Sequence, residues 1–214
     1  LIMSLFNYYT VKENGFHEII IQKSRFITYL ARATSEQEAQ GFITAIKKQH
    51  HDANHNCSAY VIGERNDIQK ANDDGEPSGT AGVPMLEVLK KRNLRNTVVV
   101  VTRYFGGIKL GGGGLIRAYG TSVSEGLNTI GVIERVSHDL LEVTVDYTWL
   151  GKLENELRAT RHLIDQIHYL DHVQIDVFVN SDDVAPFIEW MTNLTNGQAK
   201  IHENGSRYIE HDVT

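Results

Sequence analysis

The chain has 214 residues, is 41% hydrophobic and 22% charged, and carries a formal net charge of −6, the balance of a globular protein with room for one large domain or two small ones. Its single cysteine, Cys57, excludes an internal disulfide and points to a reducing cytoplasm, and no apolar run approaches about 18 residues, so neither export nor membrane insertion is expected. The charge is unevenly spread: residues 1–134 hold 15 Lys and Arg against 13 Asp and Glu, whereas residues 135–214 hold 6 against 14, so a polyanion is expected to meet the first part and not the second.

In chain order, Phe16 to Gln22 and Arg25 to Arg32 are rich in Ile, Phe and Tyr and predict two strands about Gln22-Lys23-Ser24. Ser35 and Glu38 form a capping box for a helix whose buried face is Ala39, Phe42, Ile43 and Ile46. Gln49 to Asn56 is polar, and Cys57 to Ile62 predicts a strand. Gly63 to Gly82 has no apolar periodicity and contains the acidic turn Asp73-Asp74-Gly75-Glu76-Pro77; an irregular stretch of this length inside a domain points to function or disorder. Pro84 suits the first turn of a helix carrying Met85, Leu86 and Leu89. Thr97 to Thr102 is a run of β-formers, followed by a glycine-rich loop and a helix expected from Leu115 to about Ile130. The first part therefore reads β-β-α-β-α-β-α, an α/β sandwich.

Farther along, Asp139 to Tyr147 alternates as a strand, and Thr148 is placed to cap a helix with Leu150, Leu153 and Leu157 on one face. His162 to Leu170 and Val173 to Asn180 predict strands, Ser181 opens a helix carrying Val184, Phe187, Ile188 and Met191, and Ala199 to Glu210 closes as a strand. That order, βαββαβ, is the ferredoxin-like arrangement, giving an α+β chain overall. An exposed linker at Glu134 to Ser137 is expected to separate domains 1–134 and 137–214, and to be the first site of proteolytic nicking.

The stretch RYFGGIKLGGGGLIRAY, Arg103 to Tyr119, contains six glycines. Four in a row, Gly111 to Gly114, lose much backbone entropy on folding, so positive φ or close approach of another group is required there. Amides leading into a helix make a positive nest, flanked here by Lys109 and Arg117 and suited to phosphate; packing of the loop beneath another element is the competing reading. Walker and Rossmann patterns are absent, since Leu115 and Ile116 stand where a P-loop needs Lys and Ser or Thr.

From Val88 to Ser124 there is no acidic residue, while Lys90, Lys91, Arg92, Arg95, Arg103, Lys109 and Arg117 all fall within it, interleaved with Tyr104, Phe105 and Tyr119. Bases with aromatic faces suit RNA or single strands better than duplex DNA; closure of a helix C-terminus by Lys90 to Arg92 is the bland alternative. Candidates for RNA or phosphate binding are thus Arg103, Tyr104, Phe105, Gly106, Gly107, Lys109, Gly111, Gly112, Gly113 and Arg117. Arg103 is read either as a planar fork for phosphate or as the partner of the acidic turn.

A second group, His55, Asp73, Asp74, Glu76, Ser78 and Thr80, surrounds that turn. Asp73, Asp74 and Glu76 could carry Mg²⁺, which accepts one or two carboxylates, against the alternative of a solvated acidic turn. His50, His51, His55 and Cys57 look like metal ligands, but without a second Cys or a clear Cys/His pair they read as ordinary polar packing and not a zinc site, and nothing in the sequence holds Cys57 as a thiolate.

The segments HNCSAY (His55 to Tyr60), DDGEPSGTAGVP (Asp73 to Pro84) and VVVTRYFGGIKLGGGGLIRAY (Val99 to Tyr119) resemble the three signature blocks of the IMPACT family, in its bacterial YigZ-like branch. The resemblance implies a first domain similar to the second domain of the small-subunit ribosomal S-five protein and to domain IV of elongation factor G, and a second domain similar to domain V of that factor. It brings no catalytic residues. It implies contact with RNA or the ribosome, with a translation-factor protein as another kind of partner. Eukaryotic relatives regulate translation initiation by interfering with activation of an amino-acid-starvation kinase, using an additional N-terminal domain. Two functions of different kinds are therefore expected: a translation-associated binding module working through the basic, glycine-rich face, or a Mg²⁺-dependent enzyme or binder of a small phosphorylated ligand at the glycine loop.

Overall fold

The computed structural model describes residues 6–63, 65 and 67–213. The chain is an α+β protein with two sheets and divides into two units: Tyr8–Arg135 joined by the chain end from His211, and Val136–Glu210 joined by the residues just before Tyr8.

In the first unit, β2 (Gly15–Ile21), β3 (Ser24–Arg32), β4 (His55–Ile62), β5 (Ile68–Asn72) and β6 (Thr97–Tyr104) form an antiparallel sheet in the order β2-β3-β6-β4-β5. Gln22 and Lys23 both have positive φ, the conformation that a tight turn between β2 and β3 demands. Helix α1 (Glu36–Gln49) covers one face and helices α2 (Gly82–Lys91) and α3 (Gly111–Ile130) cover the other. The central strand β6 is consequently buried on both sides: Val98 and Val100 pack toward α1, Val99 and Val101 toward α2 and α3. This explains its unbroken run of valines in place of alternation. Ser35 caps α1 by accepting from the Glu38 N–H at 3.2 Å, and Glu38 reaches back to the N–H of Thr34 at 2.6 Å.

In the second unit, β7 (Val132–Val145), α4 (Tyr147–Arg158), β8 (Leu163–Tyr169), β9 (Val173–Asn180), α5 (Val184–Leu194) and β10 (Lys200–Asp212) follow in sequence, and the strand order is β10-β7-β9-β8. Leu153 and Leu157 of α4 and Phe187 and Met191 of α5 pack on Leu141, Val143, Val173, Ile175 and Val177 of the sheet.

Five expectations are corrected. No linker lies at Glu134 to Ser137, because β7 runs through it as one strand: Glu134 and Arg135 pair with Tyr9 and Tyr8 of β1 (Tyr8–Val11), and the Ser137 N–H is held by Asn7 at 2.8 Å. The expected domain 137–214 also gives up its end, since His211 onward belongs to the first unit. Strands β1 and β5 carried no legible pattern; β5 is an edge strand with both faces largely exposed. Helix α3 starts at Gly111, one turn before Leu115, because its first turn is built from the glycines that propensity alone disfavours. The caps also shift: Asp146, not Thr148, caps α4, and Ser181 opens a 3₁₀ turn capped by Asn180 before α5 begins. No helix among the described residues is long and apolar enough to cross a membrane.

Candidate functional site

The register of the central strands builds the site. His55 of β4 and Phe26 of β3 are the direct cross-strand partners of Arg103 on β6, so the three side chains share a sheet face. On that face the N-terminus of α3 comes down, and the acidic turn follows β5. Together they leave a cleft of about 390 Å³ lined by Asn54, His55, Glu76, Pro77, Arg103, Phe105, Lys109, Leu110, Gly111, Gly112 and Leu115.

Arg103 is only 5% exposed and Glu76 8%. Their ion pair, Nη1 to Oε1 at 2.7 Å, closes the cleft floor. The Tyr119 hydroxyl donates to the same Glu76 oxygen at 2.7 Å, and the Arg103 guanidinium lies over the rings of Phe26 and Phe105 at 5.4 and 5.5 Å. Its Nη2 donates weakly to Ser24 Oγ at 3.4 Å, and Nε is buried with no partner among the described residues. Burial, followed by the nearby Cys57 and Glu76 groups, pushes the Tyr119 hydroxyl far above its ordinary value, so it remains a donor. Cys57 is buried beneath it, its Sγ 3.4 Å from the Tyr119 hydroxyl and 3.0 Å from the Asp73 carbonyl oxygen. Burial, assisted by the Glu76, Asp74 and Asp73 carboxylates, pushes this thiol up to about 12, the opposite of an activated nucleophile.

The other two carboxylates of the turn serve its backbone. Asp73 accepts from the N–H groups of Gly79, Ala81 and Gly82 at 2.8, 3.1 and 2.8 Å, fixing the start of α2. Burial alone would raise its carboxyl, but those three donors together hold it below its ordinary value. Asp74, at φ +45°, accepts from Lys47 at 2.6 Å and from the Asn56 N–H at 2.7 Å. Among the described residues no three His, Cys, Asp or Glu side chains are grouped to hold a metal ion. Asp73, Asp74 and Glu76, the three carboxylates read as able to carry Mg²⁺, are each engaged by donors of the chain itself.

The glycines have separate reasons. A Cβ at Gly106 would stand 2.0 Å from the Lys23 carbonyl carbon, so this glycine lets two backbones pack. Gly107 and Gly111 have φ of +88° and +69°. Gly112 and Gly113 need neither: a Cβ would meet only the Thr80 methyl at 4.0 Å at the first and the Arg117 guanidinium at 3.8 Å at the second. The N-terminus of α3 has no side-chain cap, and among the described residues neither Lys109 nor Arg117 has a carboxylate partner.

Of the candidates, His55, Glu76, Arg103, Phe105, Lys109, Gly111 and Gly112 line the cleft. Tyr104 does not; it points to the other sheet face, where its hydroxyl meets His50 Nδ1 at 2.8 Å and donates to Asp52 at 3.0 Å. Tyr119 is fully buried and presents no ring to a ligand. Gly106, Gly107, Gly113, Arg117, Ser78 and Thr80 lie outside the lining, Thr80 closing its own turn on the Pro77 carbonyl at 2.6 Å. The basic run disperses: Lys90 pairs with Glu87 and Arg92 donates to Asn128. Asn54, Pro77, Leu110 and Leu115 line the cleft without being candidates; the position of Asn54 just before His55, which opens the first signature block, was the available signal, and Asn54 Oδ1 anchors the Phe105 N–H at 2.8 Å.

Comparison with known proteins bears on this geometry. The Impact N-terminal domain family matches residues 22–127, and a domain of unknown function (DUF1949) matches residues 143–198. The chain is 63% identical over 209 residues to the IMPACT family member YvyE of Bacillus subtilis (strain 168), covering 98% of this chain and 96% of that protein. It is 34% identical over 183 residues to the IMPACT family member YigZ of Escherichia coli (strain K12), covering 85% and 90%. A 95-residue stretch is 33% identical to Protein IMPACT of Oryctolagus cuniculus, covering 42% of this chain and 29% of that protein. A crystal structure of a hypothetical protein superposes with a TM-score of 0.59 at 31% identity, covering 91% of this chain and 96% of that one.

Proposed function

This chain belongs to the IMPACT family, and from that premise we propose that it is a translation-associated binding protein whose Tyr8–Arg135 unit holds single-stranded RNA, free or on the ribosome, at the N-terminus of α3. The observation that carries this reading is the pair Gly112 and Gly113. Among the described residues nothing requires glycine at either position, yet glycine costs about 0.5–1 kcal/mol relative to Ala in a helix. A group from outside that must approach the backbone closely supplies the missing reason. Uncapped N–H groups, Lys109 and Arg117 suit a phosphate, and Phe105, 45% exposed beside them, suits a base. The order β10-β7-β9-β8 with two helices supports a ferredoxin-like reading of the second unit, similar to domain V of elongation factor G, and the β-α-β first unit supports likeness to the ribosomal S-five domain; both likenesses favour a ribosomal setting.

The cleft volume favours a second reading, a small phosphorylated ligand bound without metal. Salt separates the two. RNA touching several phosphate sites loses affinity with a log–log slope of roughly −0.7 per contact, and Lys109→Ala and Arg117→Ala should each flatten it by about that amount. Gly113→Ala should raise the melting temperature slightly while weakening RNA binding. If Gly113→Ala binds RNA as well as the parent chain, the reading fails.

A further inference from the structure

One acceptor in the cleft has no donor. Glu76 Oε1 takes hydrogen bonds from both Arg103 and Tyr119, whereas Oε2 accepts none among the described residues, although the side chain is only 3% exposed. Oε2 keeps access to the cleft, so a donor supplied from outside can reach it. His55 Nε2 lies 3.8 Å from Oε2, beyond hydrogen-bond reach. His55 Nδ1 lies 2.9 Å from the Asp74 carbonyl oxygen, which can only accept, so Nδ1 carries the hydrogen. In the neutral ring Nε2 then presents a lone pair. Two acceptors therefore stand side by side on the cleft wall.

A single hydroxyl has one hydrogen and satisfies one of them. A vicinal diol has two hydrogens on adjacent oxygens and satisfies both. Glu76 repels phosphate from this end of the cleft, while Lys109 and the Gly111–Gly112 amides attract it toward the other. We propose that the cleft reads the free 2′,3′-diol of a ribonucleoside 5′-phosphate unit, with the diol on Glu76 Oε2 and His55 Nε2 and the phosphate at Lys109 and the α3 N-terminus. Two sources offer that chemistry, the 3′ end of an RNA and a free mononucleotide. The inference rests on the RNA reading above for the first source only.

The test uses the full chain and measures equilibrium binding of four probes: a short single-stranded oligoribonucleotide with a free 3′-terminal diol, the same oligomer ending in a 2′-deoxynucleotide, the same oligomer blocked by a 3′-phosphate, and a ribonucleoside 5′-monophosphate paired with its 2′-deoxy form. Loss of a hydrogen bond to a charged acceptor should weaken binding about tenfold or more, so each diol-free probe should bind that much less tightly. His55→Ala should bring the diol probe to the level of the diol-free ones with little change in melting temperature. Glu76→Gln is the sharper variant: Arg103 and Tyr119 both donate to one oxygen and so hold the amide oxygen there, placing the NH₂ group at the Oε2 position and turning acceptor into donor. It too should lose the preference, and if it does not fold, His55→Ala still decides. Equal binding of diol and blocked oligomers overturns the inference while leaving RNA binding intact. Diol-selective binding of the monophosphate with no oligomer binding supports the inference and removes the RNA reading. Absence of binding by every probe overturns both.

Discussion

Arg103 reconciles the two roles expected for it in an unequal way. Its Nη1 is committed to Glu76 inside the protein, so the guanidinium fixes the cleft floor before any ligand arrives. Removing one partner of a buried pair leaves an uncompensated charge, so Arg103→Ala should lose about 3–5 kcal/mol in denaturant unfolding. Arg103→Lys should recover only part of this, because an ammonium cannot reproduce the forked geometry. Asp73 gives a pH-dependent counterpart. Its carboxyl is held below its ordinary value in the folded chain, so its stabilisation is fully present above the unfolded value, about 3.9. That stabilisation is lost as pH falls through the lower folded value. Asp73→Asn should therefore melt well below the parent chain at pH 7, and the gap should close on acidification below about pH 4. A gap independent of pH would show that the Asp73 charge does not hold the Gly79–Gly82 amides.

At the scale of elements, β7 is the feature that most changes expectation. Charge and pattern shift near Glu134 to Ser137, and the division between units does fall at Arg135 and Val136. The backbone there is nevertheless in a ladder, with Glu134 opposite Tyr9 and Arg135 opposite Tyr8. Proteases need an extended, unpaired segment of several residues. Limited proteolysis of the native chain should therefore leave residues 132–145 intact while cuts accumulate elsewhere; a first cut inside β7 would contradict the continuous strand. Glycine at element junctions is equally specific. Gly82→Ala would put a Cβ 2.5 Å from the Asn72 backbone nitrogen, so it should destabilise the chain, whereas Gly113→Ala should not.

Over the whole molecule, the charge division coincides with the division of labour proposed for the two units. Residues 135–214 carry 14 acids against 6 bases, a field that repels polyanions and slows their approach. Photo-crosslinking of single-stranded RNA to the full chain should give adducts in 8–135, concentrated around Phe105 to Arg117, and none in Val136–Glu210. Adducts mainly in the second unit would reverse the assignment.

The sequence by itself determined what depends on local chemistry and periodicity: the valine run of β6, the capped helix α1, the order of elements from β7 to β10, and membership of the IMPACT family through three contiguous blocks. It also placed His55, Glu76 and Arg103 among the candidates, without setting them apart from Asp73, Asp74 or Tyr104. The tertiary structure alone decided which of those residues meet. Arg103 faces the cleft and Tyr104 faces away because the pleat alternates, but which face carries the cleft depends on where α3 packs. Three acids in one turn read alike in sequence; only the fold assigns Asp73 to backbone amides, Asp74 to Lys47 and Glu76 to Arg103 and Tyr119. The free oxygen of Glu76 was illegible for the same reason, since an unmet hydrogen bond is a property of surroundings drawn from β4, β6 and α3, which pattern along the chain does not record.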